Sequence, residues 1–176
     1  FKKFASLADG AIAINADDKN TTSVIKDMQV PITTFGIDGG DYRRVNVRKD
    51  HPAFYSFDVE HKGKILCTIN LSVPGIHNIY NAMAAFTACT LAGLTPEEIK
   101  NGIETFGGAG RRFEIYGVVN GITIADDYAH HPSEIAATLR AAKDMGFKRV
   151  WAVHQPFTYS RTKMLLKDFA DALSIA

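Results

Sequence analysis

The chain has 176 residues, of which 46% are hydrophobic and 22% charged, as is typical of soluble globular proteins. Lysine and arginine total 20 against 19 acidic residues, so the net charge of +1 gives no electrostatic basis for binding nucleic acid or a membrane surface. No apolar run reaches the ~20 residues that span a bilayer. Cys67 and Cys89 lie in apolar stretches without metal-ligand spacing, which favours a reducing, cytoplasmic setting. With no initiator methionine and abrupt ends, we expect a fragment of a longer protein.

The first 73 residues predict a region rich in strands. Residues 11–15 form a short apolar run that reads as a buried strand, and Asp17 or Asp18 is placed to cap a helix after it. Alternating or β-branched patterns, together with the turn residues Lys62 and Gly63, then predict an antiparallel meander. The further predicted strands are residues 30–37, 42–47, 53–59 and 65–71.

Two helices and a flexible joint follow. The spacing of Ala, Met and Phe predicts a helix over residues 77–92, with Gly93 at its end. Thr95, Pro96 and two glutamates start a second helix that runs to about Phe106. The glycine-rich residues 107–110 form the expected domain boundary, which gives domains 1–109 and 110–176.

Beyond the joint the pattern is that of a βαβ unit. Residues 113–119 and 122–126 read as strands, and Pro132 opens a helix that Gly146 ends. Residues 149–154 are expected to be the next strand and residues 161–173 another helix. The fold class predicted is therefore α/β, with a Rossmann-like parallel sheet in the second domain.

Side chains suited to a nucleotide occur in two places. Asn78 and Asn81 are three residues apart on one helix face, where two carboxamides offer the donors and acceptors that a purine edge requires. A helix cap plus one solvated asparagine would also explain them. Arg112, at the joint, suits a phosphate because its guanidinium binds oxyanions in a fork, although a surface pair of arginines near Glu114 remains the alternative.

The densest cluster of ionisable groups is residues 126–134, directly after a predicted strand. Open α/β sheets place ligand sites at that position. Asp127, Tyr128 and His130 are the candidate residues there, because paired carboxylates can hold ribose hydroxyls or a cation. If residues 149–154 form a parallel strand, Arg161 faces the same crevice; a helix start with an exposed arginine is the alternative.

Four motifs in the second half carry a family resemblance. The matching residues are Gly75, His77, Asn78, Asn81, Ala82, Ala84 and Ala85; Phe106, Gly108 and Arg111 to Glu114; Asp126 to Glu134; and Gln155, Pro156 and Tyr159 to Thr162. In these residues the chain resembles the Mur ligases of peptidoglycan synthesis, and among them the branch that joins L-alanine to UDP-N-acetylmuramate. The resemblance covers about Pro74 to Leu173, and the first 73 residues match weakly.

The resemblance implies an ATP-dependent amide ligase. This chain would hold the latter part of the central ATP-binding domain and part of the C-terminal domain. ATP would activate a carboxylate as an acyl phosphate, which the alanine amine then attacks. His77, Asn78, Asn81, Arg112 and Asp127 match nucleotide-binding positions.

The remaining matches face the substrates. Tyr128, His130 and Arg161 match positions near the incoming amino acid and the acyl group, and Asp127, His130 and Arg161 form the expected catalytic set. The sequence lacks the Gly-x-x-x-x-Gly-Lys-Ser/Thr phosphate loop. We therefore expect Mg²⁺ ligands to lie mostly elsewhere in the enzyme, and the 176-residue chain to be inactive alone.

Two departures from the family pattern and two alternatives accompany this interpretation. Phe157 stands where the family often carries histidine, and Thr158 where many relatives carry arginine, so any polar role at Phe157 is lost. The related ligase that recycles murein tripeptide is the nearest competitor, although Tyr128 and the residues around Arg161 differ from its usual pattern. A non-catalytic nucleotide- or amino-acid-binding module is the alternative from another functional class.

Overall fold

The computed structural model describes residues 2–26 and 28–176. Within them the fold is mixed α/β, as the sequence predicted, with one five-stranded sheet, one two-stranded sheet and flanking helices. The elements up to the joint are α1 (Lys2–Ala5), β1 (Ile12–Asn15), α2 (Lys19–Val24), β2 (Ile32–Gly36), β3 (Tyr42–His51), β4 (Phe54–His61), β5 (Lys64–Asn70), α3 (His77–Leu91) and α4 (Pro96–Thr105). Those after it are β6 (Glu114–Val119), β7 (Ile122–Asp126), α5 (Pro132–Asp144), α6 (Tyr159–Met164) and α7 (Leu166–Leu173).

The larger sheet runs in the order β1-β2-β3-β4-β5. Its first three strands are parallel, and β3, β4 and β5 form the predicted antiparallel meander. The turn between β4 and β5 lies at Lys62 and Gly63, whose φ values of 52° and 77° are both in the left-handed region. Asp18 caps α2 by accepting from the Asn20 N–H, which settles the choice between the two aspartates.

A first hydrophobic core joins this sheet to α3 and α4. Phe57, Ile69 and Phe86 are completely buried in it, and Met83 and Ile79 are nearly so. The helix α4 begins at Thr95 and Pro96, as predicted, and carries a capping box in which Thr95 and Glu98 satisfy each other's backbone N–H groups. The helix α3 packs on this core through Ile79, Met83 and Phe86, and its first residue is His77.

A second, separate core lies beyond the joint. There Ile135, Ala136 and Leu139 of α5 pack against Phe169 and Ala172 of α7. The strands β6 and β7 form an antiparallel hairpin with a turn at Asn120 and Gly121. None of the helices in the described residues is long and apolar enough to cross a membrane.

One local prediction in the second part is wrong, and a second holds except for one break. Residues 149–154 do not form a strand: over residues 147–157 the structure shows no backbone–backbone hydrogen bond. Residues of β7 and of this segment line a groove of about 710 Å³, and within the described residues β7 pairs with β6, so the sheet of this part is an antiparallel hairpin. The predicted helix 161–173 is two helices, because Leu165 leaves helical geometry at φ −112° and ψ 26°.

Candidate functional site

A cleft of about 570 Å³ lies where the two parts of the chain meet. Four separate segments line it: the start of α3, the joint, the loop after β7 and the first turns of α5. Seven of the eight residues that the sequence singled out line this cleft, and Arg161 is not among its lining residues. The seven are His77, Asn78, Asn81, Arg112, Asp127, Tyr128 and His130.

The two asparagines form a linked pair on α3. The Asn78 side-chain amide donates to the Pro74 carbonyl oxygen at 2.7 Å, and its side-chain oxygen accepts from Asn81 at 2.9 Å. This bonding fixes Asn78 and leaves the Asn81 oxygen, with one N–H of each amide, for a ligand. Asn81 is exposed in the cleft wall, so it is the member of the pair that can read a base edge.

The two arginines of the joint have different environments. Arg111 donates from Nε to Asp126 at 2.9 Å, and its guanidinium carbon lies 4.7 Å from the centroid of the Tyr128 ring. Within the described residues the Arg112 guanidinium makes no hydrogen bond or ion pair and lies exposed in the cleft wall. Arg112 is therefore the arginine available to an anionic ligand.

Asp127 ties the joint to the loop after β7. One of its carboxylate oxygens accepts from the Phe113 N–H at 2.8 Å and the other from the Ala129 N–H at 2.8 Å. Arg111 and Phe113 both have positive φ, 58° and 48°, which is uncommon for residues other than glycine. Asp127 thus stabilises the strained backbone just after the joint, and each of its carboxylate oxygens keeps a further lone pair for a ligand.

The start of α5 holds the histidine loop in place. Glu134 accepts from the backbone N–H groups of His130 and His131, at 3.0 and 3.1 Å. Burial raises the pKa of Glu134, but these bonds and the neighbouring imidazoles outweigh it, so the pKa lies below its usual range. His131 is the N-cap, its Nδ1 accepting from the Ser133 N–H at 3.3 Å. The His130 side chain remains exposed at the cleft.

Arg161 reaches this loop from α6. Its Nη1 donates to the His130 carbonyl oxygen at 3.3 Å, a contact between residues 31 positions apart in the chain. The predicted proximity of Asp127, His130 and Arg161 is thus observed for the last two, although no parallel strand pairing produces it. Because Arg161 uses one N–H group in this hydrogen bond, four of its five N–H groups remain for other partners.

His77, at the start of α3, interacts electrostatically with two residues on other segments of the cleft, Asp127 and Arg112. Burial lowers the pKa of its imidazole; the nearby Asp127 carboxylate raises it, and the Arg112 guanidinium lowers it further. The net effect is a lowered pKa, so His77 is neutral at neutral pH. A neutral imidazole keeps one acceptor and one donor, which suits hydrogen bonding to a nucleoside better than contact with a cation.

This shift predicts a pH dependence of stability. The folded protein disfavours charged His77, so its contribution is fully present above the ordinary pKa of about 6.5 and is lost as pH falls through the folded value. Urea unfolding of the chain and of His77→Gln should therefore show that the variant loses less stability between about pH 7.5 and pH 5. Equal losses in the two proteins would contradict the assignment.

Comparison with known proteins matches this geometry to one family. The Mur ligase middle domain matches residues 2–89, and the Mur ligase glutamate ligase domain matches residues 111–176. The chain belongs to the Mur ligase family. Residues 90–110, which include the joint, lie between the two matches, and the cleft is lined by residues from both matched regions. The boundary at residues 109 and 110 stays a prediction.

Individual Mur ligases are similar over most or all of the chain. The chain is 47% identical to a UDP-N-acetylmuramate–L-alanine ligase of Caldanaerobacter subterraneus over all of its own length and 39% of that protein. It matches the crystal structure of UDP-N-acetylmuramate–alanine ligase from Thermotoga maritima with a TM-score of 0.76 and 29% identity, over 94% of this chain and 36% of that one. A murein peptide ligase from Psychrobacter arcticus matches with a TM-score of 0.62 and 29% identity over 84% of this chain.

Three features of the cleft were not evident from the sequence. Arg111 contacts Asp126 and Tyr128 whereas Arg112 faces the cleft, and this difference depends on the backbone geometry after the joint, which no sequence pattern reveals. The capping role of His131 was missed because a capping box usually begins with serine or threonine. The close approach of Gly75 to Ala141 is a tertiary contact, although the glycine in a polar motif was a usable signal.

Proposed function

We propose that this chain forms the nucleotide and amino-acid cleft of an ATP-dependent Mur ligase that joins L-alanine to UDP-N-acetylmuramate in peptidoglycan synthesis, in the bacterial cytoplasm. The observation that carries the proposal is the convergence of three distant stretches, residues 73–81, 106–113 and 127–138, on one cleft that mixes amide, imidazole, guanidinium and carboxylate groups. The chain spans 39% of the length of the Caldanaerobacter ligase, so the activity belongs to a longer protein.

The nucleotide occupies the α3 side of the cleft. Asn81, steadied by Asn78, reads the adenine edge with its free oxygen and N–H, and neutral His77 contributes a further hydrogen bond. Arg112 binds the phosphates, since its guanidinium has no protein partner in the described chain. Asp127 holds a ribose hydroxyl with its remaining lone pairs.

The muramate carboxylate and L-alanine meet at the loop after β7. ATP supplies the phosphoryl group that makes the muramate carboxylate reactive; the alanine nitrogen then bonds to the acyl carbon and phosphate leaves. The residues of this chain bind and orient. Tyr128 and His130 line the approach of the amine, and Arg161, anchored on the His130 carbonyl, binds the alanine carboxylate.

Mg²⁺ is expected from the family, but the described residues do not supply a ready site. No group of three His, Cys, Asp or Glu side chains in residues 2–26 and 28–176 is placed to hold a metal ion. The phosphate loop is likewise absent from this sequence. The proposal therefore assigns this chain the adenosine, amino-acid and closure functions, and assigns the metal and phosphate cradle to other parts of the enzyme.

A graft into a relative tests the function. The 179 aligned residues of the Caldanaerobacter ligase would be replaced by this chain, and ADP release measured with UDP-N-acetylmuramate and L-alanine. The graft is expected to turn over only when ATP and both substrates are present. An Arg161→Ala graft should need much more alanine, because the carboxylate loses a bidentate partner, whereas Arg140→Ala, on an exposed part of α5, should not.

The same assay separates the alternatives. Turnover with L-alanyl-γ-D-glutamyl-meso-diaminopimelate in place of L-alanine would identify a murein peptide ligase instead. A folded graft that binds ATP but releases no ADP with either amino substrate would favour a non-catalytic binding module.

A further inference from the structure

The two cores of the chain touch at few places outside the cleft. Among residues 2–26 and 28–176, no helix or strand of the first core packs extensively against one of the second. The chain link between them is the glycine-rich joint, residues 107–110, which imposes little rigidity. The relative placement of the cores, and so the shape of the cleft, must therefore come from a small number of specific contacts.

One of these contacts, a hydrogen bond combined with an ion pair, lies at the far end of α5. Asp144, the last residue of the helix, accepts from the Tyr55 hydroxyl at 2.5 Å and from Lys49 Nζ at 2.9 Å. Tyr55 packs on the first core, whereas α5 belongs to the second. The contact holds the pKa of Asp144 below its usual range, mainly through the Tyr55 hydrogen bond, and burial with the adjacent carboxylate raises the pKa of Tyr55 to about 12.

The position of Asp144 is otherwise unfavourable. A carboxylate in the last turn of a helix faces the negative end of the helix dipole, where lysine or arginine is the stabilising choice. The donors Tyr55 and Lys49 offset this cost, and both come from the other core. Asp144 is thus unfavourable for its own helix but is well paired with Lys49 of β3 and Tyr55 of β4, so its position is explained by a contact between the cores.

The same face of α5 runs from this contact to the cleft. Glu134, Ala137, Ala141 and Asp144 recur at intervals of three or four residues, so they lie along one side of the helix. Glu134 and Ala137 line the cleft, and Ala141 is buried where Gly75 comes close to it. Asp144 lies about 18 Å along the helix from Pro132, so it acts on the cleft through the orientation of the whole helix.

We propose that the Asp144 contact with Tyr55 and Lys49 is a clasp that holds the two cores closed over the cleft, which makes Asp144 a positioning residue. Its role in catalysis rests on the proposed function, whereas its effect on the orientation of the cores does not. Without the clasp the joint lets α5 swing, and His130 and Asp127 move away from Asn81 and Arg112.

Residual dipolar couplings of the backbone amides test the clasp in this chain without a ligand. In the unmodified chain one alignment tensor is expected to fit both cores. In Asp144→Ala each core should need its own tensor. Asp171→Ala, which removes the exposed Lys167–Asp171 pair within α7, is the matched control and should keep a single tensor. A single tensor for Asp144→Ala with unchanged orientation would overturn the proposal.

Conservative variants separate a clasp from general stability. Tyr55→Phe should partly release the cores while leaving the first core packed, because only the hydroxyl is lost. The exchanged pair Lys49→Asp with Asp144→Lys should restore one tensor. In the Caldanaerobacter graft, Asp144→Ala should weaken ATP binding about five- to tenfold. Intact orientation with no ATP binding by the unmodified graft would contradict the proposed function but leave the clasp standing.

Discussion

Gly75→Ala is expected to destabilise the chain by about 2 to 4 kcal/mol. The residue has φ +98°, a conformation that side chains other than glycine rarely adopt. A Cβ atom there would lie 2.6 Å from His77 Cε1 and 3.1 Å from the Ala141 Cβ. The methyl group must therefore displace the imidazole of the cleft, the helix α5, or both.

A second glycine provides the matched control. Gly93 has φ +91°, close to that of Gly75, but a Cβ added there meets nothing within 4 Å. Urea unfolding of Gly93→Ala measures the backbone strain alone, about 1 kcal/mol. The excess loss in Gly75→Ala then reports the contact with His77 and Ala141. If the two variants lose the same free energy of unfolding, the close approach of Gly75 to His77 and Ala141 does not contribute to stability.

The features predicted correctly from the sequence are those set by neighbouring residues. Thr95 and Glu98 cap α4 because both partners lie within one turn, and the chain turns at Lys62 and Gly63 because glycine adopts a positive φ readily. Alternation of apolar residues marked the meander, since one face of those strands packs on the first core. Each signal is local, so a single sequence suffices to detect it.

The features predicted wrongly depend on distant partners. Residues 149–154 have the apolar, β-branched composition of a strand, but a strand also needs a neighbour within hydrogen-bonding distance, and a groove separates this segment from β7. Val153 and Trp151 consequently lie exposed. The break at Leu165 likewise has no glycine or proline to announce it. Composition indicates what a segment can form, whereas pairing and packing decide what it does form.

The candidate site falls between these cases. Motifs identified His77, Asn78, Asn81, Arg112, Asp127, Tyr128 and His130, and the structure brings them into one cleft. Their roles stay predictions. The contacts that determine how each group is presented, such as the Phe113 N–H on Asp127 or the Arg111 guanidinium over Tyr128, join residues about 15 positions apart through an unusual backbone path. No residue pattern encodes that path.

The largest effect on ligand binding is expected from Arg112→Ala. In the described residues the guanidinium makes no hydrogen bond or ion pair and only an electrostatic interaction with His77, so its removal breaks no such bond in the fold, while a phosphate loses a charge-assisted hydrogen bond. In the Caldanaerobacter graft the affinity for ATP should fall about 10- to 100-fold, with little change in unfolding free energy. Arg112→Lys should recover part of the loss, since the charge remains but the fork does not.

Two further arginines make this prediction specific. Arg140→Ala removes the same charge from an exposed position outside the cleft lining, so it corrects for the change in net charge. Arg111→Ala removes the contacts with Asp126 and Tyr128 and should lower stability as well as affinity. Calorimetric titration with ATP and with adenosine separates the contributions: Arg112→Ala should weaken ATP binding but leave adenosine binding unchanged. An equal loss for both ligands would mean that Arg112 shapes the cleft and does not bind phosphate.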